Sequence, residues 1–173
     1  IRIAPPGSRF PFDEACTAGA GWQWDGIGFR VVHPPDGFAG GDNERSCAIH
    51  VSGAGGSALL LADPESAAEA SLMKQVIAAD VVLVPHHGSA TSSSPELVAA
   101  VSARVGIVSA GFGNRWGMPR EDVVARWRAA GTTVLSTSSH GAVRVRMPAR
   151  GGPLRIEAER RDRPRWWRAA SGR

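Results

Sequence analysis

The sequence predicts an α/β fold with parallel strands, on three observations. Residues 57–63 (SALLLAD) and 80–84 (DVVLV) are short apolar runs on either side of a stretch, residues 65–79, that is rich in Ala, Glu and Leu and has no Gly or Pro. That is a strand–helix–strand unit, whose two strands are parallel when the helix crosses over in the usual right-handed sense. The runs are continuous rather than alternating, as expected of strands covered on both faces. The pattern then recurs, with a third apolar run at residues 104–109 (RVGIVS) followed by a loop and another helical stretch.

Taken in order, the chain begins with a strand region around Trp22–Pro35. Trp22 and Trp24 stand at period 2, as residues of a sheet face or core rather than a ligand box. Asp25-Gly26 beside them is a hairpin turn signal. Residues 37–41 (GFAGG) and 53–56 (GAGG) lack the strand-to-helix context of a dinucleotide fingerprint, so they read as turns and no nucleotide cofactor is expected. Pro64 suits the first position of a helix over residues 65–79. Pro119 is placed likewise at the start of a helix over residues 119–130, with Glu121 and Asp122 favouring the dipole of its first turn and Gly131 stopping it. Residues 132–135 and 142–147 read as strands, and residues 154–159 (LRIEAE) as a last edge strand.

The chemistry concentrates in residues 82–93, VLVPHHGSATSS. A buried strand ends in a proline and delivers His86, His87, Gly88 and a cluster of hydroxyls at its exit. In open α/β sheets ligands sit beyond the carboxyl ends of the strands. Asp63 leaves one such end, the histidine pair the next, and the Gly-rich loop 110–118 (AGFGNRWGM) the third. One carboxylate, two imidazoles, Asn114 and Arg115 are therefore expected on one sheet edge. Imidazole is the commonest protein metal ligand, and a guanidinium beside it suits a phosphate.

PHHGSATSS, the strand ending in Asp63 and the later GNRWGMP resemble the carboxy-terminal metallo-β-lactamase-fold domain of the ComEC family, channels that carry DNA across the bacterial inner membrane. The resemblance extends to CTAGAGWQWDGIGF from Cys16, His33-Pro34 and NERSC from Asn43, and covers about residues 14–148. It implies the carboxy-terminal portion of an αββα metallo-β-lactamase-like domain over residues 1–159; the arginine-rich composition beyond it is read as a basic, disordered tail from 160 to 173. It further implies that Asp63 and the PHHGS histidines hold metal, with His87 favoured as ligand and His86 facing substrate in a catalytic role. Ser89 and Thr91 fall on the family's hydroxyl-rich substrate loop, and Asn114 and Arg115 on its later asparagine loop, where they serve substrate and catalysis. Zinc or manganese suits such mixed ligands.

Three departures stand out. The His-x-His-x-Asp-His motif of the fold is absent; in the family it precedes the Cys16–Trp24 segment, so the chain reads as one cut after it, and the fragment itself is expected to be inactive. Met118 replaces the family's usual histidine before the proline. Ala62 replaces the usual glycine before the aspartate.

Composition bounds the partners. The 173 residues carry a formal charge of +4, and Lys74 is the one lysine. Arginines crowd the end of the chain, with Trp166 and Trp167 among them, a pattern that suits single-stranded DNA or a solvated tail. No run of about 20 apolar residues is present, so this piece is expected to be soluble and periplasmic, attached to the membrane-channel portion of an inner-membrane parent. Cys16 and Cys47 are either a disulfide of an oxidising compartment or two reduced thiols. Two functions compete: a metal-dependent phosphodiesterase acting on the DNA strand that is not imported, and a non-catalytic DNA-binding or assembly domain. A hydrolase of the phosphocholine esterase type is a further possibility within the fold.

Overall fold

The computed structural model describes residues 3–4, 14–75, 77–149 and 152–165. Seven strands form one sheet in sequence order: β3 (Gly21–Trp24), β4 (Ile27–His33), β5 (Ala48–Gly53), β6 (Gly56–Leu60), β7 (Val81–Leu83), β8 (Val105–Val108) and β9 (Thr133–Ser136). β3 to β6 are antiparallel, with tight turns at Asp25-Gly26 and between Gly53 and Gly56 and a longer connection, residues 34–47, between β4 and β5. Asp25 and Gly26 both have positive φ, as a two-residue hairpin turn of this hand requires. From β6 to β9 every pairing is parallel. Before the sheet, β1 (Ile3–Ala4) and β2 (Glu14–Ala15) form a short parallel pair. The sequence-predicted α/β class and its parallel half are thus observed.

The crossovers are α1 (Ser66–Leu72), α2 (Pro95–Val101) and α3 (Glu121–Ala129). Successive neighbours linked in one hand place these helices on one face. Leu72, Leu97, Val98, Val101, Val123 and Trp127 meet Val32, Leu59, Val82, Val84, Val108 and Val134 there in a single apolar cluster. The opposite face carries Val81, Val105 and Leu135, covered by β10 (Val143–Arg146) and β11 (Arg155–Ala158). Successive residues of each central strand point to opposite faces. Both faces are covered, which is why the runs read as continuously apolar.

Several boundaries differ from the sequence reading. The helix expected over residues 65–79 stops at Leu72; beyond it Gln75 donates to the Val32 carbonyl at 2.6 Å, and the chain straightens to bury Ile77. Pro64 and Pro119 precede their helices by two residues, since the chain before each is committed to the sheet edge. α2 has no counterpart in the sequence reading, although Ser94-Pro95-Glu96 is an N-terminal signal: the Ser94 hydroxyl accepts from the Leu97 N–H at 3.3 Å, with Pro95 at the first turn. β10 and β11 pair with each other, not with the main sheet. The segment expected to be irregular from residue 160 starts as the helical turn α5 (Glu159–Asp162), where Asp162 accepts from the Ala158 N–H at 2.7 Å. Trp166, Trp167 and the last arginines lie outside the described residues, as does Arg150.

Cys16 and Cys47 form a disulfide with α-carbons 5.9 Å apart. Among the described residues no helix is long and apolar enough to cross a membrane.

Candidate functional site

Four strand ends deliver four segments to one edge. Asp63 follows β6, the turn Pro85–Gly88 follows β7, the 110–118 loop follows β8, and the helical turn α4 (Thr137–His140) follows β9. The histidine turn is unusual in its backbone. His86, His87 and Gly88 all have positive φ, of 48°, 55° and 75°. Non-glycine residues rarely adopt this region, and two in succession cost a few kcal/mol that the surroundings must offset.

The surroundings do so with identifiable bonds. The His86 N–H donates to the Ala62 carbonyl at 2.9 Å, tying the turn to the segment that carries Asp63. Ser92 Oγ lies 3.0 Å from the Pro85 carbonyl. The Arg120 N–H donates to the Gly88 carbonyl at 2.9 Å, and a β-carbon on Gly88 would stand 2.7 Å from Pro119 Cβ. Glycine is therefore required there twice over, by its φ and by the close approach of the next loop.

The strained turn splays the two imidazoles. The rings are 6.4 Å apart and inclined at 64°. His87 points to Asp63, with Nε2 3.6 Å from Oδ1, while its Nδ1 lies 2.7 Å from the Ser109 carbonyl. A carbonyl can only accept, so Nδ1 carries the proton and Nε2 presents a lone pair toward the Asp63 side. This backbone-oriented imidazole is the usual arrangement of a metal-binding histidine. His86 turns the other way. Its Nδ1 is 3.2 Å from Glu65 Oε1 and 3.3 Å from Thr91 Oγ1. Thr91 in turn bonds Glu65 at 3.2 Å and Ser89 at 3.1 Å, and Asn43 donates to the same Glu65 oxygen at 3.4 Å. Asp63 itself is held by its N–H, which donates to Ser46 Oγ at 3.1 Å.

Of the residues singled out from sequence, Asp63 and His87 converge. His86, Ser89 and Thr91 form a neighbouring cluster around Glu65, which sequence reading placed merely in a helix; its position just after Asp63 was the available signal. Asn114 lies on the same edge but spends its amide on its own loop. It donates to the Gly111 and Met118 carbonyls at 3.0 and 2.6 Å and accepts from the Met118 N–H at 3.0 Å. It shapes the loop. Arg115 lays its guanidinium over Trp116, 4.7 Å from the ring centroid. His87, Ser109, Asn114, Trp116 and Met118 line an open cavity of about 260 Å³. Met118 thus faces the same space as His87.

The donor chemistry suits a divalent cation at one edge of its shell: a neutral imidazole and a carboxylate at a separation that one ion can span. Among the described residues no group of three or more His, Cys, Asp or Glu side chains is arranged to hold a metal. His33, His50 and His140 are engaged elsewhere. His33 is fully buried, with Nε2 2.7 Å from the Glu44 carbonyl and Nδ1 without a partner among the described residues; burial holds its pKa below the ordinary value despite that bond and the Glu44 charge.

No protein-family model matches the chain. It is 34% identical over 158 residues to the Escherichia coli protein named "Uncharacterized protein YcaI", covering 89% of this chain and 21% of that one. It is 37% identical over 130 residues to "Recombination protein 2" of Haemophilus influenzae, covering 75% of this chain and 16% of the relative. It is 34% identical over 142 residues to "Competence protein ComA" of Neisseria gonorrhoeae, covering 80% and 20%. The chain spans about a fifth of the length of the curated relatives it matches.

Proposed function

Because this chain belongs to the ComEC family of competence proteins, we propose that it is part of a metal-dependent phosphodiesterase domain acting on DNA during uptake. The observation that carries the reading is the His87 imidazole, fixed through Ser109 with its free Nε2 aimed toward Asp63. The layering supports a metallo-β-lactamase-like αββα sandwich: helices cover one face of the main sheet and a second small sheet covers the other. In this reading Asp63 and His87 hold a zinc or manganese ion, and further ligands come from outside the described residues. Such an ion supplies Lewis acidity to a phosphoryl oxygen and activates water. The chain's own residues do the rest. The Ser109 carbonyl holds His87 in its ligating tautomer, Glu65 and Thr91 orient His86 toward the substrate side, and Asn114 sets the loop that walls the cavity. The disulfide fits an extracytoplasmic location beside the membrane-channel portion of the protein.

A second reading, a DNA-binding domain without catalysis, is favoured by Met118, a thioether lining the cavity where family members carry an imidazole, and by the pairing of only Asp63 and His87. Calorimetric titration with zinc or manganese tests the first. The chain should take up the ion, and Asp63→Asn or His87→Ala should weaken uptake by about tenfold or more, the scale on which shell residues act. Uptake indifferent to both substitutions would remove the metal site and leave the second reading.

A further inference from the structure

The 110–118 loop exposes two large aromatic rings, Phe112 and Trp116, and the second of them lines the His87 cavity. Phe112 is 69% and Trp116 63% solvent-accessible. Singly exposed rings are common on protein surfaces, so it is their pairing with fixed cations that is informative. Each ring is accompanied by a guanidinium: Arg115 stands over Trp116 at 4.7 Å, and Arg160 over Phe112 at 5.1 Å. The arrangement is built from two distant parts of the chain. Arg160 comes from α5 and is itself anchored, donating to the Ser138 carbonyl of α4 at 2.7 Å. The loop is anchored too, by the Asn114 bonds to Gly111 and Met118 and by the reciprocal pair between Ala110 and the Thr137 hydroxyl, at 2.9 Å each. A preorganised loop loses little entropy when a ligand docks on it.

We infer that Phe112, Arg115, Trp116 and Arg160 form a stacking platform for single-stranded nucleic acid, which leads the strand into the cavity beside His87. The inference rests on the nucleic-acid reading above and adds to it the surface and the strandedness. Stacked bases need flat apolar faces with cations nearby for the phosphates, and the alternation of ring and guanidinium provides both. A duplex hides its base faces, so it gains the charge but not the stacking. Trp116 also lines the cavity, so a base on its ring sits next to the pocket that His87 and Met118 share. The sequence suggested such a role for the terminal arginines with Trp166 and Trp167, which lie in a segment largely outside the described residues; the loop with α5 is a separate surface.

The probe is a fluorescein-labelled oligodeoxythymidylate of about 12 nucleotides, within the site size of one small binding domain, titrated without divalent ions. The parent chain should bind it more tightly than a duplex of equal length, with quenching of tryptophan fluorescence. Phe112→Ala and Trp116→Ala should each weaken binding about 5- to 150-fold, the cost of one lost stack. Arg115→Gln should lower the salt slope by about one ion. Both rings are exposed, so their removal leaves the core intact, and circular dichroism checks this. Binding by the double aromatic variant equal to that of the parent chain would overturn the proposal. So would duplex binding that is as tight and equally dependent on the two rings, or no binding by the parent chain at low salt. Oligonucleotide binding is read without divalent ions and metal uptake without DNA, so a failed metal site and a failed platform are separately visible.

Discussion

Glu69 is a buried carboxylate that joins three helices. It sits on α1 at 1% exposure, and its two carboxylate oxygens accept from the backbone N–H groups of Ser93 and Ser94, the latter at 2.8 Å. Ser93 has φ of 62°, its hydroxyl accepts from Trp127 Nε1 at 3.0 Å, and its carbonyl accepts from Arg126 at 2.6 Å. One side chain therefore joins α1, α3 and the start of α2, and closes the loop that follows the histidine turn. Glu69→Ala leaves the buried Ser93 N–H and the half-buried Ser94 N–H without acceptors, at about 1–3 kcal/mol for a fully buried group and less for the second. Allowing for partial relaxation, the loss should be about 2–4 kcal/mol, a large part of a domain's usual 5–15 kcal/mol. Glu69→Gln keeps the shape but replaces one acceptor by a donor facing an N–H, and should cost about 2 kcal/mol. Urea unfolding followed by the fluorescence of buried Trp127 and the other tryptophans measures both. A Gln variant as stable as the parent, or an Ala variant within about 1 kcal/mol of it, would refute the account of Glu69 as the acceptor that holds this junction. The Ala variant should also bind divalent ions more weakly, because Ser92, beside this junction, bonds the Pro85 carbonyl.

Met118→His places an imidazole on the His87 cavity and should tighten zinc binding about 10- to 100-fold, by calorimetric titration; unchanged affinity would show that position 118 does not reach the ion. The folded-state pKa of His33 lies below the unfolded value, so its contribution to stability is fully present above about pH 6.5 and is lost as pH falls toward the folded value. Unfolding free energy should decline below pH 6.5 by at most about 1.4 kcal/mol per unit, with a shallower decline in His33→Gln; identical profiles would dismiss His33 as the source. Reducing the Cys16–Cys47 bridge, which spans a sequence separation of 31, should cost about 3–4 kcal/mol by loop entropy, read as a lower urea midpoint in dithiothreitol. Gly88→Ala should destabilise by more than about 1 kcal/mol, since its β-carbon would meet Pro119 at a positive φ; an unchanged midpoint would show that the turn relaxes freely.

Sequence alone determined the parallel half of the sheet and the edge where its chemistry gathers. Continuous apolar runs separated by a helical segment can bury their strands in few other ways, and the segments leaving those strands then meet at one edge. That logic brought Asp63, the histidine pair and the Asn114 loop together from local pattern alone. It could not say which way each imidazole turns. The direction is set by the Ser109 carbonyl on one side and by Glu65 on the other, partners from separate segments that meet only after the sheet has formed. The same holds for Asn114, a plausible substrate contact in sequence that is consumed by its own loop. It holds again for the disulfide, for which two cysteines in a sequence leave both oxidation states open until the strands bring their α-carbons to 5.9 Å. The early stop of α1 had no local signal, because Gln75 and Ile77 are claimed by the Val32 carbonyl and by the core beneath the sheet. The cation over exposed Phe112 is Arg160, contributed from 48 residues farther along the chain. Periodicity reports burial and local hydrogen bonding; partners distant in sequence are chosen by packing.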